Sequence, residues 1–298
     1  MSSPPRAYPS ALIPQLAPTA EMVDAIGNRW TVPVEHLSPS SLGMLSRCAF
    51  QYWRRYILGE KERPGEALVL GSAVHSGLEY NFTPKVETHE DLPLAVLQEW
   101  FQDAGWSASV AEQQERSGMD VEWDAGEEEA RRRATNMLLA YVREIAPRIQ
   151  PLSVEGWVEA DFGVKPKVIG RFDVETVDGL IDHKTGKQLT TKPKPEWRMQ
   201  AGCYDVSTGK SVEFHSLASS KTGRISIATP AVYPELEIKL SPSQRDNVAT
   251  MIRGLAALAQ HYWDTYGDSE PWPTTGWMHP WACGYCGWRP ICPAWNEL

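Results

Sequence analysis

The segment GRFDVETVDGLIDHKTG, residues 170–186, decides the fold of this chain. Its apolar and polar residues alternate on both sides of Asp178-Gly179, a dipeptide that is typical of hairpin turns, so the segment predicts two antiparallel strands. The same period of two begins near Ser153 and returns in later segments. These patterns predict a sheet that covers about residues 153–230.

The two strands of this hairpin would carry acidic side chains on one face. Asp182 and Lys184 are two positions apart, so they point the same way, while His183 points to the opposite face. With a two-residue turn, Asp173 and Asp182 become diagonal neighbours whose β-carbons lie within about 8 Å of each other. Glu175 shares this face and competes with Asp173 as a ligand on geometry alone. The carboxylates would repel one another unless a cation or Lys184 neutralised them.

A divalent cation on such a face would support the hydrolysis of a phosphodiester. Mg²⁺ and Mn²⁺ prefer oxygen ligands, polarise a phosphoryl oxygen and lower the pKa of an attacking water. A lysine beside the ion can orient or deprotonate this water and offset the charge that develops on the phosphate. The alternative interpretation is a surface hairpin whose charges are solvated, because an isolated D-x-K pattern is common.

Helical periodicity dominates the sequence on either side of the sheet. Ser38 followed by Pro39 gives an N-cap and a proline at the first helical position, and predicts a helix that ends at Gly59. Ser241 followed by proline gives the same signal for a helix that reaches about Tyr266. Further helices are predicted at 67–80, 92–104, about 127–145 and 197–206.

The composition is that of a folded globular protein. The chain has 298 residues, of which 42% are hydrophobic and 22% charged, and this excludes wholesale disorder, collagen-like repeats and coiled coil. The net charge of −9 argues against a protein that coats nucleic acid non-specifically, but it allows an enzyme that binds DNA through a local basic groove. No apolar run approaches a membrane span and the first residues do not match a signal peptide, which predicts a cytoplasmic protein without a membrane partner.

Four motifs in order resemble one nuclease family. They are G-x-x-x-H at 71–75, G-x-x-D at 170–173, I-D-x-K-T-G at 181–186 and Q-x-x-x-Y at 200–204. Together they resemble the RecB-like branch of the PD-(D/E)XK nuclease superfamily over most of residues 38–298. The resemblance implies an α/β fold of the restriction-endonuclease type, with a mixed central sheet flanked by helices, an N-terminal helical part and a cysteine-rich C-terminal cap.

The resemblance also implies roles for individual residues. Lys184 would be the catalytic lysine. Gln200 and Tyr204, one helical turn apart, would position the scissile DNA strand and support the lysine. An aspartate stands at position 182, where many members of the family have glutamate. The expected ion is Mg²⁺ or Mn²⁺, and its implied ligands are His75, Asp173, Asp182 and the backbone carbonyl of His183.

The five cysteines are distributed in a way that favours a metal or cluster over disulfides. Cys48 lies on the first predicted helix, and the spacing C-x₂-C-x₅-C follows at Cys283, Cys286 and Cys292. This distribution resembles the iron–sulfur subset of the same branch, which includes CRISPR-adaptation exonucleases and the AddB nuclease domain, and it implies that the four thiolates hold a 4Fe-4S cluster. A structural Zn²⁺ is the alternative. Cys203 fits no ligand position and is predicted to be a packed thiol.

The predicted function is metal-dependent exonucleolytic cleavage of DNA, on single strands or at exposed ends. The alternative is a DNA-binding or recombination accessory module that works through a partner. The sequence has no P-loop, so ATP-driven unwinding would come from a helicase or recombination partner. Two groups of basic residues are candidates to line a DNA groove: Arg54 and Arg55, and Lys192, Lys194 and Arg198.

The predicted organisation is a single nuclease domain preceded by an arm. Residues 1–30 are rich in Pro, Ser and Ala and are predicted to be flexible, and residues 31–298 form the domain. Within it we expect a helical part at about 38–147, the catalytic sheet at about 153–230, and a C-terminal helix with an iron–sulfur cap at about 241–298.

Overall fold

The computed structural model describes residues 22–23, 29–220, 222–274, 283–284 and 286–296. Most of the predicted arm at residues 1–30 lies outside these ranges. Its described part consists of two short antiparallel strands, β1 (Met22–Val23) and β2 (Arg29–Trp30).

Helices occupy most of the first half of the chain, as predicted, and return after the sheet. The sequence did not predict the fifth helix, because its mostly polar residues form no clear apolar stripe. None of the helices in the described ranges is both long and apolar enough to cross a membrane. In chain order the helices are α1 (Pro39–Arg47), α2 (Ala49–Tyr52), α3 (Glu66–Thr88), α4 (Leu94–Trp100), α5 (Trp106–Ser117), α6 (Glu127–Glu144), α7 (Pro195–Thr208), α8 (Pro242–Tyr266) and α9 (Pro293–Asn296), with π-helical turns at Trp53–Ile57 and Phe101–Gly105 and 3₁₀ turns at Ala146–Arg148, Pro234–Leu236 and Arg289–Ile291.

The central sheet is mixed, which confirms the predicted α/β fold class. Its order is β3-β4-β5-β6-β7, and β8 pairs with β6. Strands β5 and β6 are parallel, and α7 provides the crossover that a parallel pair needs, whereas the other pairs are antiparallel. The strands are β3 (Ser153–Ala160), β4 (Val168–Glu175), β5 (Gly179–Gly186), β6 (Ser211–Ser219), β7 (Ile225–Ala228) and β8 (Glu237–Ile238).

Two hydrophobic clusters flank the sheet. The first packs α1, α2, α7 and α8 against it, and its largest buried side chains include Tyr52, Tyr204, Phe214 and Trp272. The second lies between the sheet and α3, α5 and α6, and includes Phe82, Phe101, Leu138 and Tyr141. Burial of apolar surface on both faces therefore fixes the sheet between two helical layers.

The first predicted helix is interrupted at Cys48, which corrects the prediction of one continuous helix. Ser38 caps α1 as expected, since its side chain accepts a hydrogen bond from the backbone of Ser41. Cys48 has extended backbone angles (φ −158°, ψ 113°), and α2 begins at the next residue. The N–H of Phe50, one of the first donors of α2, bonds to the carbonyl of Pro273 at 3.1 Å. The interruption thus directs this segment toward the C-terminal region.

The hairpin turn between β4 and β5 lies one residue earlier than predicted. The N–H of Thr176 donates to the carbonyl of Gly179 at 2.8 Å, and the Thr176 hydroxyl also bonds to the backbone of Gly179. Val177 and Asp178 are therefore the two residues of the loop. The side-chain bonds of Thr176 stabilise this turn in place of one centred on Asp178-Gly179.

Candidate functional site

The hairpin strands bring two aspartates face to face. The backbone pairs of β4 and β5 nearest the turn set a register in which Asp173 lies opposite Asp182. The sequence predicted these two aspartates as diagonal neighbours, which is wrong because the turn is displaced by one residue. Beyond this pair the backbone ladder between β4 and β5 stops. The N–H of His183 donates to the side-chain oxygen Oδ2 of Asp173 at 2.5 Å instead of to a backbone carbonyl of β4. The strands thus open where the two carboxylates meet.

A third carboxylate, that of Glu155, extends this row and was not predicted from the sequence. The β3–β4 register places Glu155 opposite Asp173. Its backbone is left-handed (φ 55°), which costs a non-glycine residue about 1–3 kcal/mol. Its carboxylate lies 2.7 Å from Nε of Arg171. Glu155, Asp173 and Asp182 therefore occupy neighbouring positions on three adjacent strands, and we call them the carboxylate row.

Helix α3 brings His75 to the carboxylate row. Gly71, which opens the G-x-x-x-H motif, lies so close to β5 that a β-carbon there would be 3.0 Å from Thr185 Oγ1. One turn later, His75 Nδ1 lies 3.2 Å from Asp173 Oδ1. One ligand atom each of His75, Glu155 and Asp173 lies within 4.8 Å of the other two. Because Gly71 has no side chain, α3 can approach β5 closely enough for His75 to join Glu155 and Asp173.

His75 and Asp173 form an ion pair within the site. Burial alone would lower the pKa of His75, but the charge and hydrogen bond of Asp173 outweigh burial and raise it to about 9. Burial likewise would raise the pKa of Asp173, but His75 and His183 hold it well below its ordinary value. The imidazolium of His75 therefore neutralises part of the negative charge of the row.

The pKa values of the remaining acids at the site are raised. Burial, followed by the charge of Asp173, raises the pKa of Glu155 to about 8. Burial also raises the pKa of Asp182, against the opposing effect of Lys184. Burial raises the pKa of Glu79 on α3 as well. Carboxylate oxygens crowded beside one imidazole are a donor set that suits Mg²⁺ or Mn²⁺.

Helix α7 fixes Lys184 beside the carboxylate row. Lys184 Nζ pairs with Asp182 Oδ1 and donates to Gln200 Oε1 at 2.9 Å. Gln200 Nε2 donates to Asp182 Oδ2 at 2.5 Å and to the Tyr204 hydroxyl at 2.7 Å. Gly170 leaves room for this arrangement, because a β-carbon there would lie 2.8 Å from the Tyr204 ring. Residues of two motifs thus meet in one hydrogen-bonded group, and the glycine of a third motif gives them room.

An exposed aromatic side chain and an arginine border the carboxylate row. Trp157, on the edge strand β3, is 63% exposed. The guanidinium of Arg171 lies over its ring, 5.6 Å from the centroid, and also pairs with Glu155. The two side chains form a cationic, aromatic surface that adjoins the site.

The predicted DNA-binding residues fall in two places. Arg54 and Arg55 lie on the π-helical turn after α2, where Arg54 pairs with Glu60 at 2.5 Å. The other group is exposed on α7 or just before it, near the helix that holds Lys184: Lys192, Lys194 and Arg198.

Cysteines from the two ends of the chain lie near one another. Cys48 is buried at the break between α1 and α2. Burial, followed by the charges of Cys48 and Cys292, raises the pKa of Cys283, and burial and Cys48 also raise the pKa of Cys286. Cys203 is fully buried on α7, and burial raises the pKa of its thiol to about 12. Cys48 therefore lies near Cys283 and Cys286, and Cys292 lies near Cys283.

Protein contacts hold the C-terminal region against the same segment. Tyr52 stacks on Trp272 with ring centroids 5.6 Å apart. Glu62 Oε1 accepts from the N–H of Gly287 at 3.2 Å. These contacts do not depend on the thiols.

Comparisons with known proteins identify the family. Two solved structures are similar to the chain: a candidate exonuclease from Eubacterium rectale (12% identity, 88% of each chain covered, TM-score 0.49) and SSO0001 (14% identity, 79% of this chain and 88% of that chain covered, TM-score 0.32). Neither similarity bears on function. No curated protein matches the chain. The model of the PD-(D/E)XK nuclease superfamily matches residues 36–293, and the chain therefore belongs to that superfamily.

Proposed function

We propose that this nuclease is a metal-dependent DNA exonuclease of the RecB-like branch that acts on single strands or on DNA ends. The observation that carries the proposal is the carboxylate row, which lies between His75 and Lys184. The row supplies oxygen ligands for a cation, and Lys184 supplies a positive group beside them. Hydrolysis of a phosphodiester needs both features.

The residues that would hold Mg²⁺ or Mn²⁺ are His75, Asp173, Asp182 and the backbone carbonyl of His183, and Glu155 adds a further carboxylate. When bound, the ion polarises the phosphate and lowers the pKa of the attacking water. His75 must lose its proton before its ring nitrogen can act as a ligand. That loss ends the ion pair with Asp173 and leaves the charge of this carboxylate for the cation.

Lys184 acts on the water and on the phosphate. Asp182 and Gln200 hold its ammonium group beside the carboxylate row. From this position the ammonium orients the attacking water and offsets the charge that develops on the scissile phosphate. Tyr204 keeps Gln200 in place through the bond between its hydroxyl and Gln200 Nε2.

The surface that borders the row supports binding of a single strand. Trp157 and Arg171 offer a flat cationic face on which a base can stack, and such stacking contributes about 1–3 kcal/mol per base. The exposed Lys192, Lys194 and Arg198 offer charge for phosphates. Unpaired bases present their faces while paired bases do not, so duplex DNA would first be unwound by a helicase or recombination partner.

We infer that the four neighbouring thiols hold a structural 4Fe-4S cluster. Cysteine thiolates suit either such a cluster or zinc. The distribution of the four cysteines, which resembles the iron–sulfur subset of the branch, favours the cluster over zinc. Hydrolysis does not involve it, because the carboxylates hold the hydrolytic metal.

Labelled linear and circular DNA, each single- and double-stranded, tests the proposal. With Mg²⁺ or Mn²⁺ the protein should degrade linear single strands and leave circular single strands intact, and Lys184→Ala should be inactive on both. The matched control is Glu175→Gln, whose carboxylate bonds to Lys210 and Ser153, and it should stay active. Cleavage of circles would indicate an endonuclease. Wild-type protein that binds DNA without cleaving any substrate would instead indicate an accessory module.

A further inference from the structure

A buried chain of hydrogen bonds leads from the carboxylate row to the protein surface. His183 Nδ1 lies 3.0 Å from Asp173 Oδ2, and His183 Nε2 lies 2.9 Å from the Tyr141 hydroxyl. This hydroxyl lies 2.6 Å from His215 Nδ1, and His215 Nε2 lies 3.1 Å from Glu213 Oε2. Only Glu213 is partly exposed, and the other four residues are buried. We call these five residues the histidine chain.

The histidine chain crosses the layer behind the site. Tyr141 comes from α6, and His183 and His215 are direct partners in the parallel pair β5–β6. The Tyr141 and His183 rings meet edge to face at 4.9 Å, and the Phe82 ring of α3 stacks on the His183 ring with centroids 6.3 Å apart. The four motifs of the family contain neither Tyr141 nor His215. Packing from α3, α6 and β6 therefore restricts the His183 ring.

The Asp173 end of the histidine chain fixes the direction of its first two hydrogen bonds. The backbone N–H and Nδ1 of His183 both lie against Asp173 Oδ2, and a carboxylate oxygen only accepts. The one hydrogen of a neutral His183 ring therefore lies on Nδ1, where it points at Asp173 Oδ2. Its Nε2 then accepts from the Tyr141 hydroxyl. The chain therefore selects one tautomer of His183.

We propose that Tyr141 and His215 are positioning residues, which fix the His183 ring and, through it, the Asp173 carboxylate in the orientation that binds the cation. This role rests on the proposed function, since it requires Asp173 to be a ligand. One oxygen of Asp173 faces His75 and the other faces His183, so the carboxylate cannot rotate while both contacts persist. Loss of a residue that orients a metal ligand in this way typically weakens metal binding by about 10- to 100-fold.

Calorimetric titration of Mn²⁺ into the full-length protein without DNA tests the role. Tyr141→Phe keeps the ring and removes the hydroxyl, and it should bind Mn²⁺ about 10- to 100-fold more weakly, with kcat at saturating Mn²⁺ nearly unchanged. The matched control is Tyr52→Phe, which removes another buried hydroxyl, one without a hydrogen-bond partner among the described residues. It should bind as the wild type does. Unchanged affinity in Tyr141→Phe, or equal weakening in Tyr52→Phe, would overturn the role.

Nitrogen-15 NMR of the histidines gives a second readout that needs neither metal nor DNA. In the wild type, His183 should occupy a single tautomer with its hydrogen on Nδ1, and Tyr141→Phe should shift the Nε2 resonance. A tautomer mixture in the wild type would overturn the role of the chain. Wild-type protein that binds no Mn²⁺ would contradict the proposed function and the positioning role together. Normal Mn²⁺ binding by both the wild type and Tyr141→Phe would contradict the positioning role alone.

Discussion

Mn²⁺ affinity should rise steeply with pH, because two groups at the site must lose protons before they can hold a cation. The pKa of His75 is raised to about 9 and that of Glu155 to about 8, so both groups carry a proton in the metal-free protein at neutral pH. Ligation requires a neutral imidazole and an ionised carboxylate. Each cation that binds should therefore displace about two protons.

The magnitude follows from this proton count. At a pH below the pKa of a ligand group, the proton that this group must lose makes the Mn²⁺ affinity rise about tenfold for each pH unit. The wild type should thus bind Mn²⁺ about 100-fold more tightly at about pH 7 than at about pH 6. Glu155→Gln cannot release a proton from this position, so its affinity should change only about tenfold over the same interval. Glu175→Gln, which alters a carboxylate bonded to Lys210, should keep the wild-type dependence.

Calorimetry in pairs of buffers with different ionisation enthalpies measures the affinity and counts the released protons in one experiment. A wild-type affinity independent of pH would refute the reasoning for both His75 and Glu155. A Glu155→Gln dependence as steep as that of the wild type would remove Glu155 from the ligand set. If Glu175→Gln lost as much of the pH dependence as Glu155→Gln, the set of metal ligands would be wider than we propose.

The same two shifts predict how the stability of the metal-free protein depends on pH. The raised pKa of His75 contributes stability below its ordinary value of 6.5 that is lost as pH rises toward about 9. The raised pKa of Glu155 changes the stability in the same direction. Ionisation of this carboxyl destabilises the folded protein progressively as the pH rises from 4.5 to about 8. Thermal unfolding should therefore occur at a lower temperature near pH 8 than near pH 6, and added Mn²⁺ should reduce the difference.

Three substitutions test the other roles. Lys184→Ala should reduce kcat by about 100-fold or more and leave Mn²⁺ binding intact, and activity within about threefold of the wild type would remove its catalytic role. Trp157→Ala should weaken binding of a single-stranded oligonucleotide by about 5- to 100-fold in a fluorescence titration, whereas Trp157→Phe should restore most of it; equal affinities would exclude stacking. Cys48→Ser should lose the absorption near about 400 nm of anaerobically purified protein while Cys203→Ser keeps it, and the opposite pair of results would exclude Cys48 as a ligand.

Local patterns were sufficient to predict much of the fold. The serine–proline pairs at the starts of α1 and α8 were read correctly, because a capping box and an N-terminal proline act within one turn. The alternation of β4 and β5 likewise depends on neighbouring residues alone. The order of the motifs then indicated which side chains would meet, and the structure brings Asp182, Lys184, Gln200 and Tyr204 into one hydrogen-bonded group.

Glu155 could not be predicted, because its position depends on contacts that the sequence does not display. It meets Asp173 only through the register of β3 on β4. Gly156 sustains that register, since a β-carbon there would lie 2.1 Å from the Phe172 ring. The displaced hairpin turn has a similar cause: Asp178-Gly179 suits a tight turn, but the hydroxyl of Thr176 stabilises one centred a residue earlier.

The break at Cys48 shows tertiary contacts overriding helix propensity. A continuous helix would direct the N–H of Phe50 to the carbonyl of Ser46, four residues earlier, and would leave the carbonyl of Pro273 without its donor. Docking of Pro273, together with the stacking of Tyr52 on Trp272, thus favours the interruption, and neither contact involves a thiol. Residues 272–273 can therefore hold their place before any cluster forms. Losing one of the proposed cluster ligands should therefore cost the cluster without undocking these two residues.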